Sequence, residues 1–300
     1  MRNVLIGLGV LAAVVLGGAW WITEPKTGHI QRVFAIGDAG RGKAVFDAGG
    51  CASCHVSTGQ ENRLQLGGGM KFATAFGTFY APNISPSVRD GIGGWSYEMF
   101  TNALQAGVAP DGSHYYPAFP YTTYVRMKPQ DVSDLFAYIR TLPQVDGKAP
   151  PHELAFPFNQ RRALGFWKAL YLDTTPIVNE SSKSAEWNRG RYLVEGLSHC
   201  AECHSARTQL GGIDENFRMA GGPNPDGKGR VPNITQETMG KWSKSDIVEV
   251  LTTGITPDMD EIAGSMMEVV KNLAQLPKSD REAIAEYIKS LPPKKSPPRT

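Results

Sequence analysis

Two short runs use up all four cysteines of this 300-residue chain: Cys51-Ala-Ser-Cys54-His55 and Cys200-Ala-Glu-Cys203-His204. Cysteines three apart sit about one helical turn from each other, so their thiols point the same way and the next residue projects beside them. Cys-x-x-Cys-His is the pattern of covalent c-type haem attachment. The two thiols add across the vinyl groups of one haem, and the imidazole becomes the proximal ligand of its iron. The expected roles are covalent attachment for Cys51, Cys54, Cys200 and Cys203, and iron ligation for His55 and His204, giving two haems. One such run alone could be half of a zinc or redox site. Two runs that exhaust the cysteines favour haem, and a disulfide within each pair would leave both histidines without a task.

The surroundings of the two runs repeat at an offset near 149 residues, and such self-similarity signals duplicated units. Arg41-Gly-Lys43 matches Arg189-Gly-Arg191, Pro82-Asn-Ile-Ser85 matches Pro232-Asn-Ile-Thr235, and Trp95-Ser96 matches Trp242-Ser243. Gly107–Asp111 pairs with Gly254–Asp258, and Tyr138–Pro143 with Tyr287–Pro292. Each copy reads as a small, mostly helical cytochrome c domain. An N-terminal helix leads to the cysteines, a middle helix starts at Trp-Ser, and a last helix ends at Leu-Pro. The last helix of the second copy places Ile284, Tyr287, Ile288 and Leu291 on one face, with Ser279 and Glu282 spaced as a capping box. In the first copy the apolar face is Val132, Leu135, Phe136 and Ile139, and Pro129 suits the first turn.

An electron-transfer haem normally has both axial positions filled, and methionine sulfur opposite histidine raises the reduction potential. The second copy offers Met266 and Met267; one is expected to ligate and the other to pack. Met259 is an outside candidate, and Met219 comes too early in the loop. In the first copy, counting back from the last helix, the same region is Pro117-Ala-Phe119, and phenylalanine cannot bind iron. The substitutes are Met127, His114, Met70 and Met99. Met99 falls at a core-like place in the middle helix, Met70 is early, and His114 reads as an exposed loop residue. Met127, on the loop before the last helix, is the favoured ligand.

Ahead of both copies, Val4 to Ile22 is a run of 19 uncharged residues. At about 1.5 Å per residue it spans a hydrocarbon core of roughly 30 Å, with Trp20 and Trp21 at the far interface. Arg2 and the terminal amine favour an N-terminus inside, so the rest faces outward, as cytochrome c maturation requires. A cleaved signal peptide is the competing reading, but the Trp-Trp-Ile-Thr-Glu-Pro stretch lacks a small-x-small cleavage site. With no cysteine nearby, a lipoprotein anchor is excluded. The expected organisation is a transmembrane anchor over 1–24, cytochrome c domains over 35–145 and 187–293, and a connector over 146–186. The connector carries one amphipathic stretch, Arg161 to Leu172, and its Phe156, Phe158, Phe166 and Trp167 are expected to strap the domains together. A net charge of +2 without a basic run gives no reason to expect nucleic acid as a partner.

Taken together, FGTFYAPNIS, GIGGWSYEMF, GVAPDGSHYYPAFPYTTY, SAEWNRGRYLVEGLSHCAECH and GSMMEVV resemble the haem subunit of bacterial membrane-bound alcohol, gluconate and related sugar dehydrogenases, over about residues 35–292. The resemblance implies class I-like cytochrome c domains with His/Met haems that pass electrons from a dehydrogenase subunit towards quinone or another acceptor. In that family the Pro-Ala-Phe-Pro-Tyr loop usually has methionine in place of phenylalanine. Variants with phenylalanine resemble this chain, with Met at the place of Met127, and the family pattern puts the second ligand on Met266. The family's subunits carry three haem motifs and this chain two, so a route to quinone through the third does not carry over.

The expected function is that of a dihaem electron carrier in the inner membrane, its domains facing the periplasm and without catalytic activity of its own. It would accept electrons from a periplasmic dehydrogenase and deliver them to a quinone, cytochrome or terminal oxidase of the respiratory chain. The alternative is a dihaem enzyme, peroxidase-like or thiosulfate-oxidising, with an open or labile distal site at the first haem. Phe119 keeps that alternative; the lack of a spare cysteine ligand or second histidine cluster weighs against it.

Overall fold

A computed structural model describes residues 2–28, 30, 36–224, 227 and 229–298; the expected start of the first domain at residue 35 lies outside them. The architecture is mostly helical. The apolar N-terminal run is one helix, α1 (Arg2–Ile22), with no buried residue. The first repeat follows as α2 (Ala39–Ala48), α3 (Cys51–His55), a hairpin of β1 (Lys71–Thr74) and β2 (Gly77–Tyr80), α4 (Tyr97–Thr101), α5 (Tyr121–Tyr124) and α6 (Pro129–Ile139). After the connector helix α7 (Leu164–Tyr171) come α8 (Ala185–Tyr192), α9 (Cys200–His204), the short pair β3 (Gly222–Pro223) and β4 (Arg230–Val231), α10 (Gln236–Met239), α11 (Lys244–Thr253), α12 (Ser265–Leu273) and α13 (Lys278–Ser290).

The same crossing holds each copy together. α2 crosses α6 at Gly42, where a Cβ would lie 2.0 Å from the Asp134 carbonyl oxygen; α8 crosses α13 at Gly190, where it would lie 1.8 Å from that of Ala283. Only a residue without a side chain lets the backbones come this close. Beside each crossing an arginine grips a carboxylate on the last helix. Arg41 Nε donates to Asp134 at 2.7 Å, and Arg189 Nη2 to Asp280 at 2.7 Å. The apolar faces close over these contacts, with Val132, Leu135 and Ile139 buried in one copy and Ile284, Tyr287 and Ile288 in the other.

Asp134 is the more deeply placed carboxylate, its side chain 1% exposed against 59% for Arg41. Burial alone would raise its pKa, but hydrogen bonds from Arg41, the Asp38 amide and Gln130 outweigh it and hold the carboxyl below its usual value. A carboxylate with a depressed folded pKa contributes stability above its unfolded value, about 3.9, and loses it as pH falls through the folded value. Asp134→Asn is therefore expected to lose about 1.5–3 kcal/mol at neutral pH, the scale of hydrogen bonds to a charged group. Denaturant titrations of the holoprotein should show that deficit shrinking below about pH 4.

Helix starts follow the sequence closely in three places. Ser96 caps α4 through the Met99 amide, Ser243 caps α11 through that of Asp246, and Pro129 occupies the first turn of α6. The capping box is formed by Ser243 and Asp246, and not by Ser279 and Glu282. Pro277 already ends the preceding loop, so Ser279 falls inside α13, and Glu282 pairs with Lys278 at 3.3 Å instead.

The connector behaves differently from expectation. Trp167 does join the copies, its ring 6.5 Å from that of Tyr121 and its indole N–H donating to the Leu210 carbonyl at 2.9 Å. Phe158 packs edge-on against Phe76 of the first copy, ring centroids 5.2 Å apart, while Phe156 and Phe166 remain 78% and 44% exposed. The connector also grips the end of α1. Thr23 packs on Gly165, where a Cβ would lie 2.4 Å from the Thr23 Cα; Arg162 Nη2 donates to the Trp20 carbonyl at 2.9 Å. His114, expected at the surface, is 2% exposed because its Nε2 donates to the Thr23 carbonyl at 3.0 Å.

Candidate haem centres

α3 and α9 each place a Cys-x-x-Cys-His run on a single helical turn directly after the helix that crosses the last helix. Each run is entered through a left-handed residue, Gly50 at φ 65° and His199 at φ 41°, which turns the chain sharply into the attachment helix. All four cysteines are of intermediate exposure.

The histidines fit a haem on their hydrogen bonding. His55 Nδ1 donates to the Pro82 carbonyl at 2.8 Å, and His204 Nδ1 donates to the Pro232 carbonyl at 2.8 Å. The Pro-Asn-Ile repeats thereby fix the tautomer and leave Nε2 with its lone pair, the arrangement that orients a histidine ligand. Burial holds both imidazoles below their usual pKa, so both are neutral at pH 7 and able to ligate. The loops agree in detail: the His55 carbonyl accepts from Gly68 N and the His204 carbonyl from Gly221 N. Among the described residues no three His, Cys, Asp or Glu side chains converge as a metal cluster, so a zinc reading of these runs finds no further ligands.

The methionines separate by environment. Met127 is 4% exposed and its carbonyl accepts from Gln105 Nε2 at 3.0 Å. It stands two residues before α6 as Leu276 stands two before α13, and Leu276 is also 4% exposed. Met266 is half-buried at the start of α12 against the core. Met267 packs on the end of α11, where a Cβ on Gly254 would meet its Cε at 2.9 Å. Met259 is 80% exposed. Met219 is a core residue: its carbonyl accepts from Ile234 N, just as that of buried Leu66 accepts from Ile84 N in the first copy. Met99, expected in the core, faces solvent on the outer side of α4, and Met70 is half-buried beside β1.

Each attachment helix makes a contact with the opposite copy. Ser53, inside the first run, accepts at 2.6 Å from Asn272 Nδ2 of the second copy. Glu202, inside the second run, accepts from the hydroxyls of Thr122 and Thr123 of the first copy at 2.8 and 3.2 Å. Ser53 and Glu202 are equivalent positions of the repeat, as are Thr123 and Asn272, so the contact is made twice with its partners exchanged. Between them the His199 ring lies against Gly50, its own counterpart; a Cβ there would be 3.7 Å from Nε2. His199 also hydrogen-bonds the Gly49 backbone, and the Tyr124 hydroxyl donates to the Gly49 carbonyl at 2.7 Å. Burial would raise the Glu202 carboxyl, but Arg207, donating at 2.7 Å, and the threonines keep it below its usual range. None of these junction residues stands out in the sequence; the only signal is that they share the repeat offset.

Comparison with known proteins agrees with this duplicated geometry. The cytochrome c family model matches residues 39–143 and again residues 188–292. A "Diheme cytochrome c-type" protein of Cereibacter sphaeroides is 50% identical over 287 residues, covering 94% of this chain and 96% of the relative. The "Fructose dehydrogenase cytochrome subunit" of Gluconobacter japonicus is 39% identical over 91% of this chain, and the "Alcohol dehydrogenase (quinone), cytochrome c subunit" of Gluconobacter oxydans is 33% identical over 84% of it. This chain spans 55% and 54% of those two subunits. Two matched haem-attachment runs on two matched folds make the chain a member of the cytochrome c family with two covalently bound c-type haems.

Proposed function

We propose that this protein is a membrane-anchored dihaem electron carrier, built from two class I-like domains over 35–145 and 187–293 joined by the connector 146–186. Cys51 and Cys54, and Cys200 and Cys203, hold the haems; His55 and His204 ligate the irons, with Met127 and Met266 opposite. Each haem supplies a one-electron Fe(III)/Fe(II) couple, and the protein contributes spacing, potential and docking surface. The observation that carries this reading is the doubled contact of each attachment helix with the opposite copy, α3 with Asn272 and α9 with Thr122 and Thr123, with Gly50 and His199 between them. A protein that only bound or sensed a ligand would have no need of that arrangement. The cytochrome subunits of fructose and alcohol dehydrogenases among its relatives support a periplasmic dehydrogenase as donor. The acceptor is a respiratory-chain component, and α1 tethers the body to the inner membrane on the periplasmic side.

A second reading has one observation in its favour. Because Met127 occupies the place of Leu276, its burial is also what packing alone would produce, and a first haem without sulfur ligation would be open for peroxidase-like or thiosulfate chemistry. Carbon monoxide difference spectroscopy on the reduced protein separates the two. No binding is expected, since both irons are six-coordinate. Stoichiometric binding at one haem would overturn the carrier reading for the first unit, and turnover with peroxide would then be measured.

A further inference from the structure

An apolar face lies where α1 meets the body, and among the described residues nothing covers it. Most sides of α7 are engaged. Gly165 packs on Thr23, Lys168 donates to the Ala106 and Gly107 carbonyls at 2.6 and 2.8 Å, and Tyr171 packs on Gly212. What remains is a stripe at helical spacing: Phe166, Ala169 and Leu170, with Leu170 66% exposed. One turn before Phe166 on the same row is Arg162, whose guanidinium stacks on Trp20 at 3.7 Å. The stripe therefore looks towards the last turn of α1.

Among the described residues the contacts of the body with α1 lie at that end. Apolar side chains from Val4 to Leu16 are all more than half exposed. A helix of 21 residues is about 32 Å long, close to the roughly 30 Å hydrocarbon core, so its last turn lies at the lipid boundary. Whatever is fixed to that turn lies there too. From Gly165 to Leu170 the helix advances about 7.5 Å, within the roughly 5–10 Å layer that interfacial helices occupy.

We propose that the Phe166–Ala169–Leu170 face of α7 rests in the interfacial layer of the bilayer that α1 crosses. This rests on the reading of α1 as a membrane anchor and goes beyond it. The body is held in one orientation, connector side down, and does not swing on a tether. The occupant of the face is lipid, at the boundary of headgroups and acyl chains, because the face continues directly from the end of the spanning helix and its exposed side chains at 166, 169 and 170 are apolar.

The test uses the full-length holoprotein in nanodiscs. The native cysteines are consumed as thioethers, so a cysteine introduced by Phe166→Cys, Leu170→Cys, Leu11→Cys or Ser182→Cys is the single reactive thiol for a nitroxide. Oxygen partitions into lipid and a nickel chelate into water, so the ratio of their relaxation effects reports depth. Ratios at positions 166 and 170 are expected several-fold above that at position 182 and nearer that at position 11. Water-like ratios at 166 and 170 with a lipid-like ratio at 11 would overturn the lipid contact and leave the anchor intact. A water-like ratio at 11 would overturn both. All four substituted positions are exposed, so the variants fold.

Discussion

Met127→Leu is expected to leave both haems attached while lowering the potential of the first and opening its iron to carbon monoxide. Leucine and methionine are close in volume, and such swaps in a core usually cost under about 1.5 kcal/mol. Met127 is buried where the second copy itself has a leucine, Leu276. Packing is thus nearly preserved, and the difference measured is the sulfur. Axial ligands set haem potentials over about 0.8 V, so losing one sulfur ligand should shift the first haem by on the order of 100–200 mV. Spectroelectrochemical titration would resolve one potential that moves and one that stays, with carbon monoxide binding at one haem per chain. Met266→Leu should give the mirror result. An unchanged spectrum and potential in Met127→Leu would remove Met127 from the ligand set and leave Phe119 facing a haem without sulfur.

The second large effect is on stability. Gly190→Ala places a methyl group 1.8 Å from the Ala283 carbonyl oxygen, and Gly42→Ala places one 2.0 Å from that of Asp134. In both cases the obstacle is helix backbone, which cannot turn aside as a side chain would. Either helix pair must move apart, losing contacts along its length, at a cost of about 3 kcal/mol or more, the upper end for overpacking. For a body of this size that is a fall in Tm of roughly 6–12 °C, read by following the haem absorbance on heating. Gly94→Ala, where a Cβ meets Val88 Cγ1 at 3.6 Å, should leave Tm nearly unchanged. A Gly190→Ala protein as stable as the parent would mean that the crossing does not hold the unit together.

What could be read before the structure was what depends on neighbours in sequence. Ser96 and Ser243 at helix starts and Pro129 in a first turn answer to local backbone chemistry, and the apolar faces of α6 and α13 follow from their period. The duplication follows from matched words along the chain. His114 was misread because its partner, the Thr23 carbonyl, lies 91 residues away at the end of α1. Of the connector aromatics, Trp167 and Phe158 pack as expected, whereas Phe156 and Phe166 stay exposed. The junction between the two copies has no sequence signal for a further reason. Ser53, Glu202, Thr123 and Asn272 are ordinary polar residues, and only the fold brings each to its partner.

That junction has a geometric consequence. A contact in which Ser53 meets Asn272 while Glu202 meets Thr123, with Gly50 against His199 in the middle, is the signature of a local dyad: the same patch on both units, each the complement of the other. Such an interface is closed. Once two units have met, neither offers the patch again, so a third unit in a longer relative must attach through different residues. The same symmetry describes how two copies of one single-haem ancestor would have paired before they shared a chain. The two sides of the dyad now differ at its axis, with Gly50 on one side and His199 on the other.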